Sequence, residues 1–531
     1  MIRVSQLSLP VHHSDKDFVK KLSKLLGIKE ADIKEYYIVK QSVDARKKDD
    51  IRFSYTVQVK VENEERILSR NRDKNISLDK TVAYRLPDNG QEKLFNRPVI
   101  VGCGPAGLFA GLSLARKGMF PIIIEQGEDA LTRKATVETF WKEGKLNPSS
   151  NVSFGEGGAG TFSDGKLNTL VKDETGRNTE VLRTFAQFGA DEDILYSQHP
   201  HIGTDKLIEI ITGIRREIER LGGEVRFNTA LESIEIENNR IKTCRLSDGS
   251  EIRTDVLILA IGHSARQTFE MLTETDIEMQ QKAFAVGLRI QHPQKMIDES
   301  QFGSEAEFLG PATYKLTAKT SDGRGVYSFC MCPGGYVCNA STEPERLAIN
   351  GMSYHKRDSG TANSALIVSV TPEDFGSDDV LAGINFQRKL EKAAYEAADG
   401  RIPVQLLGDY IDENESTSFG NVNPCFKGEY AFARLDKAFP EFIHTSLSEV
   451  MPEFDRKIKG FGREDAILAG IESRTSSPVR ITRDESFQSN VRGIYPCGEG
   501  AGYAGGITSA AMDGLKVAEA IIKKYSRWED S

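Results

Sequence analysis

The sequence predicts an α/β protein: a doubly wound parallel sheet with a β-meander, a second domain built on a mixed sheet, and a small α+β domain ahead of both. Three observations carry this reading. Residues 98–127, PVIVGCGPAGLFAGLSLARKGMFPIIIEQG, read as strand, tight turn, helix and strand. A helical stretch at 204–221 is followed by short strand-like runs separated by polar turns, up to Ala260. Residues 284–485 are strand-like and punctuated by glycine, whereas residues 1–95 have a pattern and a charge balance of their own.

Residues 1–95 hold 20 Lys/Arg against 15 Asp/Glu, so they carry +5 while the whole chain carries −9. That asymmetry suggests separate modules. Ile2 to Leu9 alternates as a strand does, and Asp15 to Leu26 sets Phe18, Leu22, Leu25 and Leu26 on one helical face that stops at Gly27. Two strand-like runs, Ile33 to Val43 and Ile51 to Val61, flank the turn DARKKDD, and Leu78 to Leu86 offers a last strand. The order β-α-β-β predicts a ferredoxin-like domain over 1–95. Its basic balance would suit nucleic acid, but no Lys/Arg stripe is interleaved with aromatics, and solvated charge is the simpler reading.

In the second segment, the first part of a dinucleotide-binding domain over 96–283, the strand Val99 to Val101 runs straight into Gly102, Gly104 and Gly107. Gly102 serves the turn, Gly104 lets backbone N–H groups approach a pyrophosphate, and Gly107 lets the helix lie close on the sheet; Pro105 and Ala106 open that helix. Glu125 ends the second strand 23 residues after Gly102, where a carboxylate accepts from ribose hydroxyls and repels a 2′-phosphate. The same pattern of glycines recurs at Gly155 and Gly500, but only the first has a strand before it and an acid after it. Residues 98–115 are uncharged, yet glycines and a proline interrupt them, which argues against a membrane span.

Residues 151–169, NVSFGEGGAGTFSDGKLNT, are too rich in glycine for regular structure. Phe154 and Phe162 would be poor linker residues, so the stretch reads as a loop wrapped on a flat ligand. Leu207, Ile210, Ile211, Ile214 and Ile218 then recur at helical spacing, and Asn238-Asn239 and Ser247 to Ser250 divide the meander. A mixed-sheet substrate domain is expected over 284–485, with a helix from Phe386 to Ala398. Cys330, Cys332 and Cys338 lack zinc-site spacing and read as buried thiols on a hairpin. Residues 486–531 return to the first domain, with a strand ending at Cys497 and a helix from Gly506 or Ile507 to Tyr525. Seven scattered cysteines, 39% hydrophobic residues and no leader-like run make the cytoplasm the expected compartment.

Together VGCGPAG with Glu125, DVLILAIGHSA at 255–265 and YPCGEGAGYAGGI at 495–507 resemble the FAD-dependent oxidoreductases with a glutathione-reductase-like fold. More narrowly, GEGGAGTFSDGKL and RTSSPVRI resemble those of a largely uncharacterised bacterial group of FAD-dependent dehydrogenases that carry an N-terminal extension. The resemblance implies a Rossmann-type sheet that binds FAD non-covalently. It implies that Gln126, Arg133, Gly157, Gly158, Ala159, Gly160, Thr161, Leu231, Ala260 and Gly262 belong to the cofactor site with the residues already named. Gly498-Glu499 stands where that family has Gly-Asp, and the helix start at Gly506 and Ile507 faces the flavin.

Such a protein transfers hydride between the flavin and a small-molecule substrate, which the sequence does not name. Asp164 and Lys166, in the glycine loop, are the candidates for substrate polarisation or proton transfer; pairing with each other or holding cofactor phosphates stays open. No second strand-flanked glycine motif marks an NAD(P)H site, so the reductant stays open too, and no C-x-x-C follows the first motif to make a disulfide reductase. Two alternatives remain: a flavoprotein brought to RNA by residues 1–95, and a non-catalytic FAD-binding protein.

Overall fold

The computed structural model describes residues 1–528. A parallel sheet of five short strands runs in the order Ile494–Pro496, Leu257–Leu259, Val99–Val101, Ile122–Ile124, Glu224–Arg226. Its central strands are apolar throughout because both faces are covered. Ile100, Ile123 and Ile258 point into a core shared with the helices Pro105–Arg116, Thr204–Arg220 and Ile507–Lys524. Val99, Val101, Ile122, Ile124, Leu257 and Leu259 point the other way, to the antiparallel meander Leu231–Glu237, Arg240–Leu246, Glu251–Arg253. The predicted Rossmann-type sheet with its meander is therefore present.

The mixed sheet has seven strands, in the order Thr317–Lys319, Gly325–Cys332, Thr361–Val370, Phe284–Pro293, Ile467–Glu472, Ile402–Leu406, Tyr430–Phe432. All neighbours are antiparallel except the last pair. Met279–Gln281 pairs with Val479–Ile481 where the chain leaves the parallel-sheet region and returns to it. The helix expected from Phe386 spans Ala382–Ala397 and packs on this sheet, as does Glu441–Lys457.

The N-terminal sheet is antiparallel, in the order Ile33–Asp44, Arg52–Val61, Ile2–Pro10, Ile76–Leu78, with helices Asp15–Leu26 and Glu64–Arg70 in the connections. This is the strand order of a ferredoxin-like fold. Its last strand is shorter and earlier than the expected Leu78 to Leu86. Asp79 and Thr81 still bond to Arg3 and Gln58 of the N-terminal sheet, and the chain from Tyr84 to Phe95 lies along the parallel-sheet region, since Tyr84 and Leu86 find their apolar partners in its helical core. The Tyr84 hydroxyl donates to Glu519 at 3.0 Å, and the Gly90 N–H donates to the Ile522 carbonyl at 2.8 Å. Among the described residues no helix is long and apolar enough to cross a membrane.

Candidate functional site: a dinucleotide cradle facing a charged wall

A cleft of about 1480 Å³, counting its open mouth, lies between the carboxyl ends of the parallel strands and the mixed sheet. One side of it is made of backbone. A Cβ on Gly102 would stand 2.3 Å from the Ala260 oxygen, one on Gly107 1.9 Å from the Gly102 oxygen, and one on Gly158 3.1 Å from the Gly104 Cα. Turn, helix and glycine loop therefore touch through main chain, which only glycine allows.

Two helices begin at this cleft without a side-chain cap, at Gly104 and at Gly506. The first intrahelical bonds run from Leu108 N–H to the Gly104 carbonyl and from Ala510 N–H to the Gly506 carbonyl. The N–H groups of Ala106 and Gly107, and those of Ile507 to Ser509, thus have no acceptor inside their helices. Such helix starts attract anions and electron-rich edges. At the other end the Glu125 carboxylate accepts from Cys103, Gly127 and Gly155 N–H at 2.9, 3.0 and 2.9 Å, tying strand, turn and loop together beside Thr229, Ala230 and Leu231. An elongated cleft with an acid at one end and open helix starts along it fits a dinucleotide, and the second helix start fits a flavin edge.

The opposite side is made of side chains. Arg289 is fully buried and donates to Glu472 at 2.7 Å, Asn363 at 2.5 Å and the Cys330 carbonyl at 3.3 Å. Burial alone would lower the Arg289 pKa, but the Glu472 charge outweighs it and holds the guanidinium protonated. Arg474, on the cleft, gives two hydrogen bonds to Glu391 at 2.8 and 2.7 Å and others to Thr342 and Ser264. Burial would raise Glu391, but Arg474, Arg266 and Ser473 hold it at about 2. Arg388 extends this network to Glu343 and Glu270.

Gly102, Gly104, Pro105, Ala106, Glu125, Gln126, Gly158, Ala159, Gly160, Leu231, Ala260, Gly262, Glu499, Gly506 and Ile507 all lie on the cleft surface, as do Asp164 and Lys166. Gly107, Arg133, Gly157, Thr161 and Gly498 stand behind it. Arg133 donates to the carbonyls of Asn151, Glu156 and Val152 at 2.8, 2.8 and 2.9 Å, so it shapes the glycine loop from the rear. Burial pushes it down to about 10. The Thr161 hydroxyl donates to the Glu156 carbonyl, and Gly498 N–H donates to Asp513.

Asp164 is paired with Arg357 and accepts from Ser353; burial would raise its pKa, but Lys166 and Arg357 hold it below the usual range. Glu499 is pushed up to about 7 by burial, against the pull of Lys282 and of the Gly506 N–H. His263 opens on the cleft 3.6 Å from Glu499 and is pushed down to about 3 by burial, Arg474 and Arg266.

The cysteine reading needs correction. Cys332 and Cys338 are buried, on strands of two different sheets, whereas Cys330 is exposed to the cleft. A bulge between Phe329 and Cys332, with φ 45° at Cys330, turns that residue outward. Among the described residues no group of three or more His, Cys, Asp or Glu side chains is placed to hold a metal ion. Phe329, Cys330, Asn350, Glu472 and Arg474 were not anticipated as cleft residues; the mixed sheet and the small sheet that holds Ile349–Met352 bring them together from distant segments.

Residues 283–475 match the family of the FAD-dependent protein, C-terminal domain-like, a family-level link to FAD-dependent proteins. Residues 1–60 match a domain of unknown function, DUF8436. A protein of Clostridium beijerinckii (strain ATCC 51743 / NCIMB 8052), described as uncharacterized, is 48% identical over 530 residues, which is 99% of either chain. The chain belongs to one family with that protein. Among solved structures, the flavin-dependent brominase Bmp2 aligns over 80% of this chain and 78% of its own at 15% identity and a TM-score of 0.35. Glycine oxidase from Bacillus cereus ATCC 14579 aligns over 80% and 94% at 11% identity and a TM-score of 0.30. At such scores these structures decide nothing about this chain.

Proposed function

We propose that this protein is an FAD-dependent oxidoreductase, a dehydrogenase or reductase of the cytoplasm acting on a small molecule that enters the cleft. One observation carries the reading: the first glycine turn, the loop at 155–167 and the uncapped helix at Ile507 converge on a single cleft that ends at Glu125. The chemistry that FAD would supply there is reversible two-electron transfer, as hydride at the flavin. Gly102, Gly104 and the N–H groups of Ala106 and Gly107 would hold the pyrophosphate, Glu125 the ribose and Glu499 the ribityl chain. The residues at 229–231 would lie along the adenine. The Ile507 helix start would stabilise negative charge on the flavin edge. Asp164, already engaged by Arg357, orients Lys166 and the loop rather than taking a proton from substrate.

The test is optical. The purified protein is expected to be yellow, or to become so on reconstitution with FAD, and to bleach anaerobically with NADH, NADPH or a member of an organic reductant panel. A colourless preparation that takes up no FAD sinks the reading. A yellow one that no reductant in the panel bleaches points to FAD as a non-catalytic ligand.

A further inference from the structure

The wall facing the cradle is unevenly furnished with hydrogen-bonding groups. Its two carboxylates, Asp164 and Glu472, are each 4% exposed and already committed. Arg357 reaches both oxygens of Asp164, with Nε 3.1 Å from Oδ1, and the Ser353 hydroxyl donates to the same oxygen. Arg289 donates to Glu472 at 2.7 and 3.4 Å. Both arginines lie behind the wall, so each carboxylate is neutralised from the rear and presents little charge to the cleft.

What remains on the surface are donors. The Lys166 ammonium is 3.7 Å from Asp164 Oδ2, beyond hydrogen-bond reach, and has no acceptor among the described residues. The Asn350 oxygen accepts from Arg289 Nη2 at 3.3 Å and from Gly351 N–H at 2.8 Å, which orients the amide and leaves its NH₂ without an acceptor among the described residues. The Cys330 thiol, on the same wall, donates to no protein acceptor among the described residues. Arg474 is charged as well, but four of its five N–H groups are taken by Glu391, Thr342 and Ser264.

The one carboxylate near Lys166 is already held by Arg357, so the ammonium, 28% exposed on the cleft, keeps its hydrogen bonds for a ligand, and a charge-assisted bond to it is the strong kind. The complementary ligand brings acceptors and negative charge together. The geometry points to a substrate that is a small organic acid, its carboxylate held by Lys166 with the Asn350 amide beside it. This rests on the flavin reading above, which makes the cleft a redox site. Lys166 as a cofactor-phosphate ligand is the competing assignment. Its surroundings speak for substrate: the loop meets the dinucleotide turn at Gly158, whereas Lys166 stands with Cys330 and Asp164 against the mixed sheet.

The experiment uses flavin-loaded full-length protein at fixed ionic strength. It is titrated with acetate, propionate and benzoate and with the matching neutral amides, while the flavin absorption band is followed. At least one acid is expected to perturb the band saturably, about tenfold more tightly than its amide. Lys166→Met is expected to weaken that acid about 30-fold at unchanged flavin content, with Lys166→Arg retaining most of the affinity. Asn350→Asp, which sets a second carboxylate beside the ammonium, is expected to weaken it less.

If yellow protein binds none of the acids, binds amides equally well, or is unaffected by Lys166→Met, the acid-substrate proposal is overturned while the flavin reading stands. Loss of flavin from Lys166→Met assigns the ammonium to the cofactor and likewise overturns it. Colourless wild-type protein that FAD does not reconstitute fails the flavin reading itself.

Discussion

On the cradle side of the cleft, Gly102, Gly107 and Gly158 bring main chain against main chain, and a single added carbon would stand 1.9 to 3.1 Å from its neighbour. On the facing wall, Arg289, Glu472, Arg474 and Glu391 meet through their charged ends at 2.7 to 2.8 Å, deep in the protein. The two sides should therefore fail in opposite ways. The cradle has no room for added atoms, whereas the wall cannot lose one charge of a pair, because its partner would be left unpaired in a poor solvent.

Gly107→Val is expected to have the largest effect. The new side chain must push the helix off the Gly102 carbonyl, at a cost of at least about 3 kcal/mol, and flavin content should fall to background. Absorbance ratio and thermal midpoint check this; normal flavin uptake would mean the contact at Gly102 yields easily.

Arg289→Met tests the opposite failure, by subtraction. Stranding the Glu472 charge should cost about 3–5 kcal/mol in urea unfolding, and adding Glu472→Met should recover most of it. If the double variant is no better than the single one, shape rather than charge governs that part of the wall.

Glu391 ties the wall to pH. Its folded value of about 2 lies below its ordinary value of 4.5, so the stabilisation is present above about pH 4.5 and is lost as pH falls toward 2. Glu391→Gln should be less stable at neutral pH by about 3 kcal/mol and should show a flatter acid limb over that window. An unchanged acid limb would mean that Arg474 and Arg266 find other partners.

Ser14→Ala lies outside both sides of the cleft. Ser14 and Asp17 form a reciprocal capping box at the helix Asp15–Leu26, and losing it should cost about 1 kcal/mol. Flavin content and spectrum should not change. A spectral change would show that the N-terminal sheet communicates with the cleft.

Much of the framework was legible because its signals are local. The helix Asp15–Leu26 announces itself by Ser14, by its apolar face and by Gly27 with φ 67°. The helix Ala130–Glu143 was missed because it buries Arg133 along with Val137 and Phe140, which blurs the apolar stripe that periodicity relies on. Glu441–Lys457 carries Pro452 inside it, a residue that reads as a breaker. Tyr84 and Leu86 alternate as a strand would, but they pack on a helical core, and the Tyr84 hydroxyl bonds Glu519, 435 positions away. Cys330 was read as buried because alternation fails at a bulge, and nothing in FCMCPGG marks one.

The sequence by itself determined the parallel sheet, the glycine turn and Glu125 at the strand end. A backbone that must approach another backbone can use only glycine, and that demand is written at the position where it is felt. Only the tertiary structure decided the facing wall. Arg289 meets Glu472 across 183 residues and Arg357 meets Asp164 across 193. It also decided that Lys166 shares its carboxylate with Arg357 and keeps its hydrogen bonds free at the cleft. An ion pair is specified by proximity in space, and in sequence one arginine looks like another until the fold assigns its carboxylate.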